Sequence, residues 1–405
     1  MKWPQLDFER LYREPSRNGI YKPEAFHGSG FKIVNMGELF AYDFINGQEM
    51  NRVRLTEAEI EKNGLLSGDL LFGRRSLVEA GAGKCSLVSS IDEPTTFESS
   101  IIRVRLDNKQ VNPRFYFYWF KSPLGRGRIR AIVSGTNVKG IRGSDLKRVR
   151  VPIPLQEEQD QIARILSNYD NLIENNRRRI QLLELSARLL YKEWFAHLRF
   201  PGHEHVKIVK SVPDGWKKKT SFDVMEVLSG GTPKTNVADY WDGEIPFYTP
   251  KDSVDTAYVY ETEKTLTEYG LKNCNSRLYP KDTIFITARG TVGNLNLAEV
   301  PMAMNQSCYA LVAKAPLTQY FLYFALVTGI EQLKSRAVGA VFDAVIRDTF
   351  KLIPFVVPAE TLVRDFTETV SPMLRQIDNL LAQNRKLKQA RDLLLPRLMN
   401  GEIPV

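Results

Sequence analysis

The stretch DNLIENNRR at residues 170–178 returns later in the same chain as DNLLAQNRK at 378–386. Each lies inside a long helical pattern. In the second, Val363, Phe366, Val370, Met373, Ile377, Leu380, Asn384, Leu387, Leu394 and Leu398 fall on alternating three- and four-residue steps, interrupted only by Arg391. That is a heptad seam, which buries one stripe of a helix against another helix. In the first, Ile162, Ile165, Tyr169, Leu172 and Asn176 keep the steps, and Ile180, Leu183, Ala187, Leu190 and Trp194 resume them after a one-residue phase shift. Two such stripes in one chain are most economically buried on each other. Asn176 and Asn384 stand at matching points of the two seams, where a facing pair of amides penalises registers that set an amide against Leu. The alternative is that both amides point to solvent at a phase slip. Pro372 after Ser371 reads as a helix restart or a kink, and Pro396 falls near a fraying end.

The rest of the chain is also written twice. Trp3 answers Trp216, Gly30 in GSGFKIVNM answers Gly243 in WDGEIPFYT, and GDLLFGRR (68–75) answers KDTIFITA (281–288). NPRFYFYWF (112–120) lies opposite LTQYFLYFA (317–325), and SGTNVKGI (134–141) opposite VGAVFDAV (338–345). Each half closes on an extended apolar stretch ending in proline, RVRVPIP (148–154) and KLIPFVVP (351–358), before its long helix. Within the segments short β-rich runs alternate with Gly, Pro and Asn and an occasional helix. The reading is α+β: compact mixed domains over 1–154 and 201–358, and helices over 155–200 and 359–405. Antiparallel helices would place the domains at opposite ends with pseudo-twofold symmetry.

At 405 residues the chain suits two or three domains of roughly 150 residues. Its formal net charge of +9 favours a polyanion as partner. Each helix spans roughly 40 to 50 Å at 1.5 Å per residue, and twofold proteins read DNA half-sites about 34 Å apart. The length scale fits double-stranded DNA. Three scattered cysteines, Cys85, Cys274 and Cys308, form no disulfide framework. The start lacks a secretory signal, and YFLYFALVTGI (320–330) is too short to span a bilayer, so a cytoplasmic protein without a membrane is expected.

Catalytic motifs are weak. NPRF (112–115) lacks the second proline of an adenine-methylating motif and reads as a turn before a helix. GAGKC (81–85) has Val78 where a phosphate loop needs its first glycine, and Cys85 where it needs Ser or Thr. DNK (107–109) and DLK (145–147) have the Asp-x-Lys form of many nuclease sites, but the second repeat has Thr349 in place of Asp145. His197, His203 and His205 occupy a linker with no cysteine nearby, a poor metal set. No catalytic, cofactor or metal residue is assigned. The working groups left are polar and basic, because Arg pairs with guanine, Asn or Gln with adenine, and Lys with phosphate. In the first domain these are Arg74, Arg75, Lys84, Arg126, Arg128, Arg130, Asn137, Lys139 and Arg142. In the second they are Thr232, Lys234, Arg289, Asn294, Lys334 and Arg336. For each, a solvated surface charge or polar group is the alternative.

SGGTPKT (229–235), YWDGEIPFYTPKDS (240–253) and TARGTVGN (287–294) resemble a target recognition domain of the specificity subunit of type I restriction-modification systems. VPIPLQEEQDQIARIL (151–166) resembles the entry to that family's spacer helix, and RDLLLPRLMNGEI (391–403) its carboxyl end. The first domain has no SGGTP motif of its own. The resemblance implies two α/β target recognition domains separated by two long antiparallel coiled-coil spacer helices. It implies a non-catalytic subunit that reads a bipartite, asymmetric DNA target. Methyltransferase subunits, expected as a pair, would carry S-adenosylmethionine, and restriction subunits would join them. Two other classes stay open: a self-contained methyltransferase or nuclease, and a helical scaffold that reads no DNA.

Overall fold

A computed structural model describes residues 3–78, 81–209, 211–289, 292–336, 350 and 355–405, with the side chains of 332–336 excepted. The chain divides into two compact units, one of Met1–Ile173 with Arg385–Val405 and one of Glu174–Asn384. The counterpart assigned to SGTNVKGI, the start of KLIPFVVP and Thr349 lie outside the described residues.

The first unit runs β1 (Gln5–Asp7), β2 (Tyr12–Asn18), β3 (His27–Val34), α1 (Met36–Ala41), β4 (Phe44–Ile45), β5 (Arg52–Val53), α2 (Glu57–Asn63), β6 (Leu70–Gly73), β7 (Arg75–Ser76), β8 (Cys85–Val88), β9 (Thr95–Phe97) and β10 (Ile101–Leu106). It continues with α3 (Pro113–Lys121), α4 (Pro123–Arg130), β11 (Lys139–Gly140), α5 (Gly143–Leu146), β12 (Arg150–Pro152) and the start of α6 (Gln156–Tyr191). The second unit takes up the rest of α6, then β13 (Ile208–Val209), β14 (Val212–Pro213), β15 (Lys217–Lys219), α7 (Ser221–Val224), β16 (Met225–Ser229), β17 (Trp241–Tyr248), β18 (Tyr258–Val259) and β19 (Thr265–Leu266). There follow α8 (Glu268–Lys272), β20 (Ile284–Thr287), β21 (Leu295–Ala298), β22 (Ala303–Met304), β23 (Cys308–Ala313), α9 (Gln319–Arg336), β24 (Phe355–Val357) and α10 (Glu360–Met399), whose last turns belong to the first unit.

The sheets repeat strand for strand. The order β2-β10-β6-β8-β4 in one unit is β16-β23-β20-β21-β18 in the other. Likewise β5-β3-β9 answers β19-β17-β22, and β1-β12 answers β15-β24. The same strand pairs are parallel, β4 on β8 with β18 on β21, and β3 on β9 with β17 on β22. Even an irregularity is copied: β3 slips register between His27 and Phe31, and β17 between Trp241 and Ile245. Gly30 and Gly243 lie at these slips, where a Cβ would come within 2.5 Å of the Val53 or Leu266 carbonyl oxygen. That close approach is why both copies keep glycine there.

One match in the sequence is displaced. GDLLFGRR set against KDTIFITA aligns Asp69 with Asp282. The backbone instead equates Gly68 (φ 92°) with Asp282 (φ 66°), because both N–H groups reach across to the neighbouring strand, at Val88 and Ala298. Gly and Asp are both tolerated in this left-handed position.

The long helices close each core. In the first unit Ile162, Ala163 and Leu166 of α6 and Leu395, Leu398 and Met399 of α10 enter the cluster built on α3 and the sheet. In the second, Ile180, Ala187 and Tyr191 join Val363, Phe366, Val370, Leu374, Ile377 and Leu380. Within each unit the helices run antiparallel. The buried stripe of α6 differs from the one read in the sequence: Leu172 is 50% exposed while Ile173 is 8% exposed. It passes through Leu166, Asp170 and Ile173, with no phase shift at Asn176. A carboxylate can occupy the seam because Arg391, the residue that interrupts the other helix, ion-pairs with it, and Tyr118 Oη donates to its second oxygen at 2.5 Å. In the second unit Asn176 Nδ2 donates to Asn384 Oδ1 at 3.0 Å. α10 runs without a break through Pro372 and Pro396. Pro372 is exposed, so the carbonyl it leaves unbonded can take water.

Asp170 and Arg391 are 8% and 7% exposed, and removing one partner leaves a charge buried alone. Asp170→Ala or Arg391→Ala should each lower stability by about 3–5 kcal/mol in urea unfolding, whereas an apolar replacement of both should recover most of that loss.

Candidate nucleic-acid interface

Antiparallel pairing decides which loops share an end of a sheet. In the second unit Ser229 pairs with Tyr309 and Thr287 with Cys308. The loops after β16 and β20 and the loop before β23 therefore leave the sheet together. In the first unit Asn18 pairs with Ile102 and Gly73 with Ile101, which groups the loops after β2 and β6 with the loop before β10.

Backbone hydrogen bonds lace these loops into one frame, and the lacing is the same in both units. Gly231 N donates to Met304 O (3.1 Å), as Ile20 N does to Phe97 O (2.9 Å). Ala288 N donates to Ser307 O (2.8 Å), as Arg74 N does to Ser100 O (2.7 Å). Gly293 N donates to Thr287 O (2.8 Å), as Gly83 N does to Gly73 O (2.7 Å), with φ of 81° and 64°. A Cβ on Gly230 would come within 2.3 Å of Asn305 O, and one on Gly19 within 2.2 Å of Glu98 O. NGIY (18–21) thus stands where SGGT (229–232) stands, so the first unit does hold a counterpart to that motif, with only its first glycine kept.

The frame pairs several predicted residues across the repeat. Arg75 and Arg289 occupy equivalent positions just beyond β6 and β20, and both are exposed. Lys84 is equivalent to Asn294, as the bonds Gly73 N to Lys84 O and Thr287 N to Asn294 O show. Tyr21, 77% exposed and absent from the sequence-based candidates, takes the place of the exposed Thr232.

In the first unit the β7–β11 ladder sets Lys139 opposite Ser76 and Gly140 opposite Arg75, which gathers Arg74, Arg75 and Lys139. Arg74 Nη1 donates to Ser99 O (3.3 Å), Arg126 Nη1 to Gly83 O (2.9 Å), and Lys84 Nζ to Phe40 O at the end of α1. Each therefore commits a donor to a loop or helix-end carbonyl. Burial holds the Lys84 ammonium and the Arg126 guanidinium below their ordinary pKa ranges. Arg128 and Arg130 are exposed on α4, Asn137 on the turn before β11, and Arg142 ahead of α5. Their side chains make no hydrogen bond or ion pair among the described residues. In the second unit Thr232 and Lys234 are exposed after β16, while Asn294 is half-buried, its N–H on Thr287 Oγ1 at 3.0 Å. Lys334 and Arg336 fall in the last turn of α9, with their side chains outside the described residues.

Sequence reading missed Gln306, exposed between β22 and β23, whose Oε1 accepts from Thr232 Oγ1. It missed the exposed Lys217, Lys218 and Lys219 of β15, although the KKK run was visible.

The motifs considered for catalysis have structural uses. Asn112 of NPRF caps α3 by accepting from Arg114 N (2.9 Å) and donates to Asp160 (2.7 Å). Asp107 accepts from Lys109 N (3.1 Å) and from Gln110 (2.8 Å) in a turn. His197 pairs with Glu193, and His203 and His205 flank Glu204. Among the described residues no group of three or more His, Cys, Asp and Glu could hold a metal ion, and no helix is long and apolar enough to cross a membrane.

Two like frames carrying unlike polar side chains define a duplicated binding protein. A family model described as "Type I restriction modification DNA specificity domain" matches residues 32–185 and again 213–388. The chain is 25% identical over 392 residues to the type I restriction enzyme MjaIX specificity subunit of Methanocaldococcus jannaschii, covering 95% of this chain and 89% of that one. It is 22% identical over 437 residues to the HindI specificity subunit of Haemophilus influenzae, covering 92% and 94%. Its fold matches the type I restriction-modification S subunit from M. genitalium with a TM-score of 0.59 at 21% identity, covering 98% of this chain and 96% of that one. The chain belongs to the type I restriction-modification DNA specificity family.

The lacing predicts opposite effects for two kinds of glycine. Gly230→Ala and Gly19→Ala should each destabilise by about 1–3 kcal/mol, because a methyl group meets backbone that cannot yield. Gly127→Ala, within α4 and with nothing inside 4 Å of the new methyl, should stabilise by about 0.5–1 kcal/mol. Thermal unfolding of the full chain reads both.

Proposed function

We propose that this chain is the non-catalytic specificity subunit of a type I restriction-modification complex, each of its two units reading one half of a split, asymmetric double-stranded DNA target. The observation that carries this reading is the repeated loop frame with different side chains on it. A reader of a symmetric site needs the same groups twice, whereas here Tyr21 answers Thr232 and Lys84 answers Asn294. Arg75 and Arg289 are the shared element, and an exposed guanidinium suits a guanine edge. Residues 1–154 and 201–358 are the recognition domains in this reading.

The segments 155–200 and 359–405 are the spacers, as an antiparallel coiled coil. Helices of 36 and 40 residues measure about 54 and 60 Å at 1.5 Å per residue, enough to hold two readers a turn of DNA apart, about 34 Å. The Asn176–Asn384 bond sets their register, since sliding either helix would leave an amide against apolar side chains. Half-sites of about three to five base pairs with an unread gap follow from domain size.

Chemistry belongs to partners in this proposal. A pair of methyltransferase subunits supplies S-adenosylmethionine and methyl transfer, and restriction subunits supply cleavage, in the cytoplasm. The full chain alone should show neither S-adenosylmethionine binding by calorimetry nor methyl transfer. Methylome sequencing of cells with and without the chain should reveal one lost split motif; loss of none, or of an undivided motif, overturns the reading. Arg289→Ala should cost about 1–3 kcal/mol at one base position. Equal weakening on every sequence would make Arg289 a phosphate contact, with a shallower salt dependence.

A further inference from the structure

We infer that Gln306 is a base-reading side chain of the second unit, selecting adenine, and that Thr232 is its positioning residue. The inference rests on the proposed DNA reading and names the group that carries specificity at one position.

Gly230 has no room for a Cβ against Asn305 O, Gly231 N donates to Met304 O, and a Cβ on Gly231 would come within 2.8 Å of Asn275. These contacts press the loop after β16 onto the loop before β23 on one side and onto the segment after α8 on the other. Asn305 Oδ1 accepts from Ser307 N at 3.0 Å, closing a tight turn that projects Gln306. Ser307 O in turn accepts from Ala288 N, next to Arg289. The run Gly-Gly-Thr at 230–232 is thereby accounted for. Two glycines permit the approach, and threonine follows where its hydroxyl reaches the Gln306 amide.

The chemistry follows from that hydrogen bond. An adenine edge offers N7 as acceptor and N6–H as donor, matched by the Nε2–H and Oε1 of a glutamine. Thr232 Oγ1 donates to Oε1. This occupies one lone pair, leaves the other for N6–H, and marks the NH2 side as the free donor. A long exposed side chain otherwise loses rotamer freedom on binding, and a preset one loses less. The first unit has no such pair: Glu98 stands in place of Asn305, with its carboxylate on Met36 N at 2.6 Å, and Ser99 in place of Gln306. Adenine selection by this device therefore belongs to the second half-site alone.

Selection of duplexes from a randomised library by the full chain, wild type and variants, tests the inference. Gln306→Ala should reduce the adenine preference at one position of one half-site by about 5- to 150-fold and leave the other half-site unchanged. Gln306→Glu should move that position toward cytosine, whose N4 is a donor; such a gain cannot come from misfolding. Thr232→Val should weaken the preference at the same position, and Thr232→Ser should restore it. An unchanged motif with Gln306→Ala and Gln306→Glu, or uniform loss with both, overturns the inference while the DNA reading stands. A wild-type chain that selects no motif overturns that reading and this inference with it.

Discussion

The first unit cannot close its core without the end of the chain. Leu395, Leu398 and Met399 are buried in the same cluster as Ile162, Leu166 and the aromatic face of α3. Hydrophobic burial of this kind stabilises by roughly 1.5–3 kcal/mol per large side chain, so those three residues outweigh any single polar contact there. The ion pair of Asp170 with Arg391 then gives the junction direction more than strength. A buried charge pair adds little net stability against an apolar one, but mispairing it costs several kcal/mol. The two helices meet through a charge pair in the first unit and through an amide pair in the second.

On these helices rest two copies of one sheet frame, and the division of labour inside the frame is sharp. Backbone groups do the holding: glycine approaches, crossed N–H to C=O bonds, left-handed turns. The exposed side chains of Tyr21, Arg75, Thr232 and Arg289 take no part in these crossing backbone bonds and can differ. Arg75 and Arg289 remain alike, whereas Tyr21 and Thr232, or Ser99 and Gln306, do not. A frame held by its main chain tolerates such replacement, since the hydrogen bonds that set loop position survive a change of side chain.

How much of this was legible in the sequence follows the same division. The helices and the repeat were readable because burial at three- and four-residue steps writes itself in residue type. Gly30 and Gly243 were readable because one steric demand has one answer. Where a demand has several answers, matching letters failed: a left-handed turn accepts Gly68 or Asp282, so the alignment slid by one residue. Asp170 was passed over because a carboxylate belongs in a seam only if a partner far away in sequence meets it. Gln306 and Tyr21 carried no signal, being exposed polar and aromatic residues whose meaning comes from their neighbours in space. Arg74, Lys84 and Arg126 were visible as charges, but not as donors already committed to carbonyls.

The discontinuity of the first unit has a consequence for synthesis. Its sheet, α3 and the opening half of α6 are translated well before Leu395, Leu398 and Met399, which seal them. The second unit is drawn from one uninterrupted span and has all its parts available earlier. All residues of the second unit are therefore in place before the last of the first. Until Leu395, Leu398 and Met399 have been made, the nascent chain carries an uncovered apolar seam along α3 and the first half of α6.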